Sequence, residues 1–107
     1  AEIEELDLSA RGITDVSELP CCHGLRKLSL DNNALQTLTG VEELHELQTV
    51  TAQHNKLQTL DGLRGLPKLG VLNVSYNQIT TLGTVLRSCH NLKALIASDN
   101  ALKRLDL

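Results

Sequence analysis

Apolar side chains recur along this chain at a fixed set of offsets. From Leu25 the series runs Leu25, Leu28, Leu30, Asn33, Leu35 and Leu38, at offsets 0, 3, 5, 8, 10 and 13. It returns as Leu47, Val50, Ala52, Asn55, Leu57, Leu60, then as Leu69, Leu72, Val74, Asn77, Ile79, Leu82, and again as Leu92, Leu95, Ala97, Asn100, Leu102, Leu105. At the amino end Ile3, Leu6, Leu8, Arg11, Ile13 and Val16 follow the same template with Arg in the Asn position. The five repeats start near residues 3, 25, 47, 69 and 92, at separations of 22, 22, 22 and 23. A period of this length marks a solenoid, because one unit cannot bury its apolar face alone and stacks on its neighbours.

Within each unit the pattern predicts its own elements. Leu28-Ser29-Leu30 and its equivalents alternate inward, outward, inward, the period of a strand. Each repeat therefore donates one short strand, and strands stacked ~4.8 Å apart form a parallel sheet. The return segments Val41 to Leu47 and Leu63 to Leu69 carry apolar residues three apart, which suits a tight helical turn on the convex side. The extra residue of the fourth repeat falls between Leu82 and Leu92 and predicts a fuller helical turn there, with a change of curvature. Asn33, Asn55, Asn77 and Asn100 stand where the chain turns inward off the strand. Their amides can pair with backbone groups that the turn leaves unsatisfied, forming a polar ladder in the core. Loss of a middle rung, as in Asn55→Ala, is expected to cost ~1–3 kcal/mol. Gly40, Gly62 and Gly83 recur in register and read as turn residues.

The phrase L-x-x-L-x-L-x-x-N-x-L, as it stands from Leu25, Leu47, Leu69 and Leu92, resembles the leucine-rich repeat family. The 22-residue length, with Leu38-Thr39-Gly40-Val41 and Leu60-Asp61-Gly62-Leu63, resembles the subclass typified by the protein-phosphatase-1 regulatory subunit. The resemblance covers essentially the whole chain. It implies an α/β solenoid, a leucine-rich repeat horseshoe with a concave parallel sheet and short helical or 3-10 turns on the convex side. It also implies a protein-protein interaction module, a scaffold or regulatory subunit recognising a folded protein such as a phosphatase or a cytoskeletal component. The alternative is a purely structural repeat segment that spaces other domains of a larger, cytoskeleton-associated protein.

Length and composition narrow the reading further. At 107 residues there is room for a single domain spanning 1–107. With one Tyr and no Phe or Trp, its core is built from aliphatic side chains. A net charge of -3 provides no basic stripe, which disfavours nucleic acid and anionic membrane as partners. No apolar run approaches the ~20 residues that span a bilayer, and Ala1 to Leu6 carry three glutamates where a signal peptide would be basic and apolar. The chain begins without Met and stops at Leu107 inside a strand-like phrase, so it is expected to be a fragment of a longer protein. Neither end shows a polar or helical cap. Ile3 and Leu107 are then expected to face missing neighbours, and the isolated segment could associate end to end.

The candidate chemistry dissolves into the repeat. Cys21-Cys22-His23 with Cys89-His90 suggests zinc ligands, but Cys22 aligns with Leu44, Leu66 and Cys89 and takes a core position. Three repeats separate the two, roughly 14 Å at one strand spacing per repeat, beyond the ~7 Å a disulfide bridges. Unpaired buried cysteines fit a reducing, cytoplasmic location, to which the resemblance adds a cytoskeletal one. His23, His45 and His90 form one convex column with no carboxylate or thiol in register to complete a metal set. No nucleophile stands beside a base, no phosphate loop is present, and an open horseshoe offers little water-excluded volume, so neither an enzyme nor a cofactor is expected.

Function is therefore expected on the concave face. Strand parity puts three columns outward: Glu5, Lys27, Thr49, Val71, Ala94; then Asp7, Ser29, Thr51, Asn73, Ile96; then Ser9, Asp31, Gln53, Ser75, Ser98. Beside them, just before the Asn position, run Ala10, Asn32, His54, Tyr76 and Asp99. The face passes from charged at the amino end to partly apolar at Val71, Ala94 and Ile96. A partner-binding patch is expected around Tyr76 with His54, Val71, Asn73, Ala94 and Ile96, Thr51 and Gln53 adjoining it and Lys27 and Asp31 as a polar rim. The alternative is that Val71 and Ile96 are β-formers tolerated on a sheet surface.

Overall fold

A computed structural model describes residues 3–17, 23–82 and 85–102, the side chains of residues 85 and 86 excepted. Five three-residue strands, β1 (Glu5–Asp7), β2 (Lys27–Ser29), β3 (Thr49–Thr51), β4 (Val71–Asn73) and β5 (Ala94–Ile96), pair in chain order as one parallel sheet. Its register sets Glu5, Lys27, Thr49, Val71 and Ala94 side by side, then Leu6, Leu28, Val50, Leu72 and Leu95, then Asp7, Ser29, Thr51, Asn73 and Ile96. These are the columns that the 22-residue period and strand parity require. The architecture is a parallel solenoid with short helical returns, the fold that the leucine-rich pattern implies.

The middle column points inward because it is aliphatic in every repeat, whereas the flanking columns are polar except at Val71, Ala94 and Ile96. Leu28, Val50 and Leu72 are fully buried with Leu25, Leu47 and Leu69 behind them and Leu35 and Leu57 beyond the turn. Each such side chain stabilises the fold by about 1.5–3 kcal/mol. In the first and fifth repeats Leu6, Leu8, Ile13, Leu92, Leu95, Ala97 and Leu102 are half-buried, since each packs on a neighbour from one side only. Ile3 is exposed; Leu107 lies outside the described residues.

The return segments close in short helical turns. In the second repeat a 3-10 turn covers Val41–Glu43, entered through Gly40 at φ 106, and a further turn bond joins the Leu47 N–H to the Leu44 carbonyl at 3.2 Å. In the third, the 3-10 turn covers Asp61–Leu63. It sits on the Leu-Asp-Gly-Leu phrase and overlaps the expected Leu63 to Leu69 only at Leu63, although within that segment the Leu66 N–H donates to the Leu63 carbonyl at 3.4 Å. The longer fourth return carries an α-helical turn, α1 (Val85–Ser88), as its extra residue predicts.

Two glycines lie against the backbone of the preceding repeat, a Cβ at Gly40 falling 2.7 Å from Ser17 Cα, and they differ in conformation. Gly40 has the left-handed backbone of a turn residue, whereas Gly62 does not; a Cβ there would lie 2.1 Å from the Leu38 carbonyl carbon and oxygen. Gly62 lies inside the 3-10 turn Asp61–Leu63 and is in addition a point of backbone contact between consecutive repeats. Gly83 lies outside the described residues.

The Asn side chains tie each repeat to the one before it. Asn55 Oδ1 accepts the Leu35 N–H at 3.0 Å, while its Nδ2 donates to the carbonyls of Leu30, Ala52 and Gln53 at 2.9, 3.2 and 3.2 Å. Asn77 repeats the arrangement on Leu57, Ala52, Val74 and Ser75. Asn100 does so on Ile79, Val74, Ala97 and Ser98. Asn33 accepts the N–H groups of both Arg11 and Ile13, so Arg11 contributes its backbone where later repeats contribute an amide. Among the described residues no buried side-chain nitrogen or oxygen lacks a partner.

Candidate functional site

The exposed sheet face divides into a polar amino-terminal part and an apolar carboxy-terminal part. In the first part the side chains bind one another. Ser9 Oγ and Ser29 Oγ lie 2.9 Å apart, and the Thr51 hydroxyl donates to Ser29 Oγ and to Asp31 Oδ2 at 3.3 and 3.4 Å. Asp31 Oδ1 accepts the Gln53 N–H at 2.7 Å. Asp7 Oδ1 accepts the Ser9 N–H at 2.9 Å, and the Ser9 hydroxyl and N–H together hold its carboxyl below the usual range.

These bonds correct two expectations. Asp31 is half-buried, with both carboxylate oxygens engaged inside the face, and is not a free steering charge at the rim. The third outward column is not uniformly outward either. Ser75 is only 3% exposed, its Oγ accepts the Ser98 N–H at 3.1 Å, and Gln53 and Ser9 are half-buried. The cause is strand length: each strand lasts three residues, so the alternation ends before this column and the chain is already turning inward. Thr51 is half-buried as well, while Lys27 is exposed but two repeats away from Tyr76.

The carboxy-terminal part is built differently. Val71, Tyr76 and Ile96 are 37%, 47% and 44% exposed, large apolar or aromatic groups facing solvent on β4, β5 and the turn after β4. Ala94 is half-buried between them in register, and Asn73 is half-buried with its Oδ1 accepting the Ser75 N–H at 3.2 Å. Of the expected patch, Val71, Asn73, Ala94 and Ile96 adjoin in register on β4 and β5, and Tyr76 follows in the turn after β4.

The column before the Asn ladder has a property that spacing alone did not disclose. Ala10, Asn32, His54, Tyr76 and Asp99 all have left-handed backbone, with φ between 54 and 60. Each of the first four is pinned there by its N–H, which donates to a carbonyl of the next repeat: Asp31, Gln53, Ser75 and Ser98 respectively, at 2.8–3.1 Å. Asn, Asp and His accept this conformation more readily than most L-residues; a bulky side chain pays ~1–2 kcal/mol. Ala10 and Tyr76 are therefore the strained members, and Tyr76 is the bulky one. Its ring stacks on His54 with centroids 4.3 Å apart and planes 5° from parallel. That spacing is close to the ~4.8 Å between strands, so the stack runs along the solenoid axis.

At the opposite ends of the strands a shallow groove is lined by Gln48, Thr49, Lys68, Gly70, Val71, Asn91 and Lys93. It opens where Gly70 contributes no side chain between Gln48 and Lys93. Lys68 donates to Glu46 Oε1 at 2.9 Å, which keeps the Glu46 carboxyl below its usual range. The groove borders the apolar patch through Val71.

The cysteine and histidine positions do not assemble. Cys89 is buried and free, its thiol donating to the Leu63 carbonyl at 3.1 Å, while His23, His45 and His90 are exposed and Cys21 and Cys22 lie outside the described residues. Among the described residues no cluster of three His, Cys, Asp or Glu side chains could hold a metal ion, and no helix is long and apolar enough to cross a membrane.

Residues 45–88 match the family model for leucine-rich repeats, in two copies. The match takes in β3, β4, the Asn55 and Asn77 rungs and both rings of the stacked pair. No curated protein matches the sequence. Leucine-rich repeats in general are non-enzymatic modules that bind proteins on the extended surface their stacking creates.

Proposed function

We propose that this chain binds a partner protein on the concave face of its sheet, at the carboxy-terminal half, with Tyr76 at the centre of the contact. The observation that carries the reading is Tyr76 itself: a half-exposed aromatic side chain kept at φ 60, where folding alone would favour Asn or Gly. Val71 and Ile96 are further exposed apolar groups on β4 and β5 of the same face, and buried aromatic and aliphatic anchors are what carry binding energy at protein interfaces. His54, Asn73 and Ala94 complete the contact; Thr51, Gln53, Asp31 and Lys27 form the polar continuation along which a longer partner would run.

A regulatory or scaffolding role is the finer form of this reading, supported by the 22-residue repeat length shared with the phosphatase-regulator subclass. A reducing, cytoplasmic compartment is consistent with the buried free thiol of Cys89. A segment that merely spaced other domains would give no reason for a strained aromatic side chain on its open face.

Photo-crosslinking separates these. A benzophenone side chain at position 71 or 96 should capture a discrete protein from cells of the source, and the same group at convex positions 45 or 90 should not. With that protein purified, Tyr76→Ala and Ile96→Ala should each weaken its binding about tenfold or more. If both leave the affinity unchanged, or the convex positions capture the same protein, the concave patch is not the docking site.

A further inference from the structure

Resting on that reading, we infer that the docking site contains an arginine slot, in which a guanidinium of the partner lies flat on the free face of Tyr76 and pairs with the carboxylate of Asp99. One face of the Tyr76 ring is covered by His54. Because the stack runs along the solenoid axis, the other face looks toward the fifth repeat. The residue in register there is Asp99: the Tyr76 N–H donates to the Ser98 carbonyl at 2.8 Å, and Asp99 shares the left-handed backbone, φ 55 against 60. The two side chains therefore leave the turn in parallel, about one strand spacing apart.

Their unequal lengths make the slot. The Asp99 side chain ends well before the phenol ring does, so the outer part of the ring face is open above the carboxylate. Asp99 is exposed and, among the described residues, makes no ion pair or hydrogen bond through its carboxylate. The positions two residues further along each repeat are Gln78 and Ala101, so no cation from them occupies the space.

An aromatic face beside a carboxylate selects a cation, since the ring quadrupole and the anion attract the same charge. It favours arginine over lysine, because a planar guanidinium can stack on the ring while its edge donates two hydrogen bonds to the carboxylate. An acidic group would be repelled, and a second aromatic ring would desolvate Asp99 without a partner. Val71 and Ile96, exposed further along the same face on β4 and β5, suit aliphatic residues elsewhere in the same partner segment.

Tyr76 is the chain's sole tyrosine, with no Phe or Trp, so its ring protons are a resolved NMR reporter. The probes are N-acetyl-Arg-Gly-Leu-amide and its Lys counterpart, titrated into the intact chain at low salt. The arginine peptide should shift the Tyr76 ring protons saturably and bind about fivefold or more tighter than the lysine peptide; Asp99→Asn should remove that preference, and salt should weaken it. Equal effects of the two peptides, or an arginine preference unchanged in Asp99→Asn, would overturn the slot. The crosslinked partner distinguishes the two levels of failure. If Tyr76→Ala and Ile96→Ala release it while Asp99→Asn does not, the slot is wrong and the docking site stands; if none of the three releases it, both fall.

Discussion

Replacing Asn55 with alanine is expected to destabilise the solenoid by about 3 kcal/mol, the upper part of the range for a buried hydrogen-bonding group. The loss is dominated by the Leu35 N–H, which donates to Asn55 Oδ1 in a buried setting and has no water to turn to. The carbonyls suffer less. Leu30 also accepts from Asn33, and Ala52 also accepts from Asn77, so each keeps one donor when Asn55 is gone. Asn55→Asp should cost at least as much at neutral pH, because a carboxylate retains the acceptor for Leu35 but turns its second oxygen toward three carbonyls. Arg11→Ala provides the contrast. Arg11 stands in the same position of the first repeat, yet its exposed side chain plays no part in the ladder and only its backbone N–H is used. Its loss should stay within about 0.5 kcal/mol, as for ordinary surface changes. Urea unfolding of the three variants measures all of this, and a cost below about 1 kcal/mol for Asn55→Ala would contradict the ladder's role.

The second large effect concerns Gly62. A Cβ at this position would sit 2.1 Å from the Leu38 carbonyl carbon and oxygen and 2.6 Å from the Thr39 nitrogen. Those are backbone atoms and cannot rotate aside, so the second and third repeats would have to part at the return segment, beside buried Val41 and Leu63. Gly62→Ala is expected to cost more than about 3 kcal/mol, beyond the usual penalty of overpacking. Two other glycines calibrate it. Gly65 has φ 76 and open space around it, so alanine there meets only left-handed strain of about 1 kcal/mol. At Gly70 an added methyl makes ordinary contacts at 3.7 and 3.8 Å and should be nearly neutral. Thermal unfolding followed by circular dichroism should rank the variants Gly62, Gly65, Gly70 in falling severity. Equal melting temperatures for the first two would show that the repeats do not approach so closely at Gly62.

The parts of the fold that depend on period were legible in the residues. Leu28, Val50 and Leu72 share one inward column because the same offset recurs, and the sheet register follows from the offsets alone. The Asn positions could be placed at the inward turn for the same reason. What could not be read was geometry that one repeat imposes on the next. Strand length decides whether parity continues: it stops after three residues, so Ser75 is buried although alternation points it outward. Gly62 aligns with Gly40 and reads as another turn glycine, which it is, but the close approach of the Leu38 carbonyl to it could not be read from the alignment. The column of His54 and Tyr76 was visible as an alignment. Its left-handed backbone was not, and it is that conformation which turns two neighbouring rings into a stack and faces Tyr76 toward Asp99.

The most direct measurement bears on whether Tyr76 is held for binding or for folding. Tyr76→Asn should relieve left-handed strain while losing the contact with His54, two opposing effects each of about 1 kcal/mol. Stability should therefore stay within about 1 kcal/mol of the parent chain, while affinity for the partner captured at position 96 falls about tenfold or more. Unchanged affinity, or an affinity loss accompanied by a loss of stability of about 2 kcal/mol or more, would contradict the assignment of this face as the binding surface.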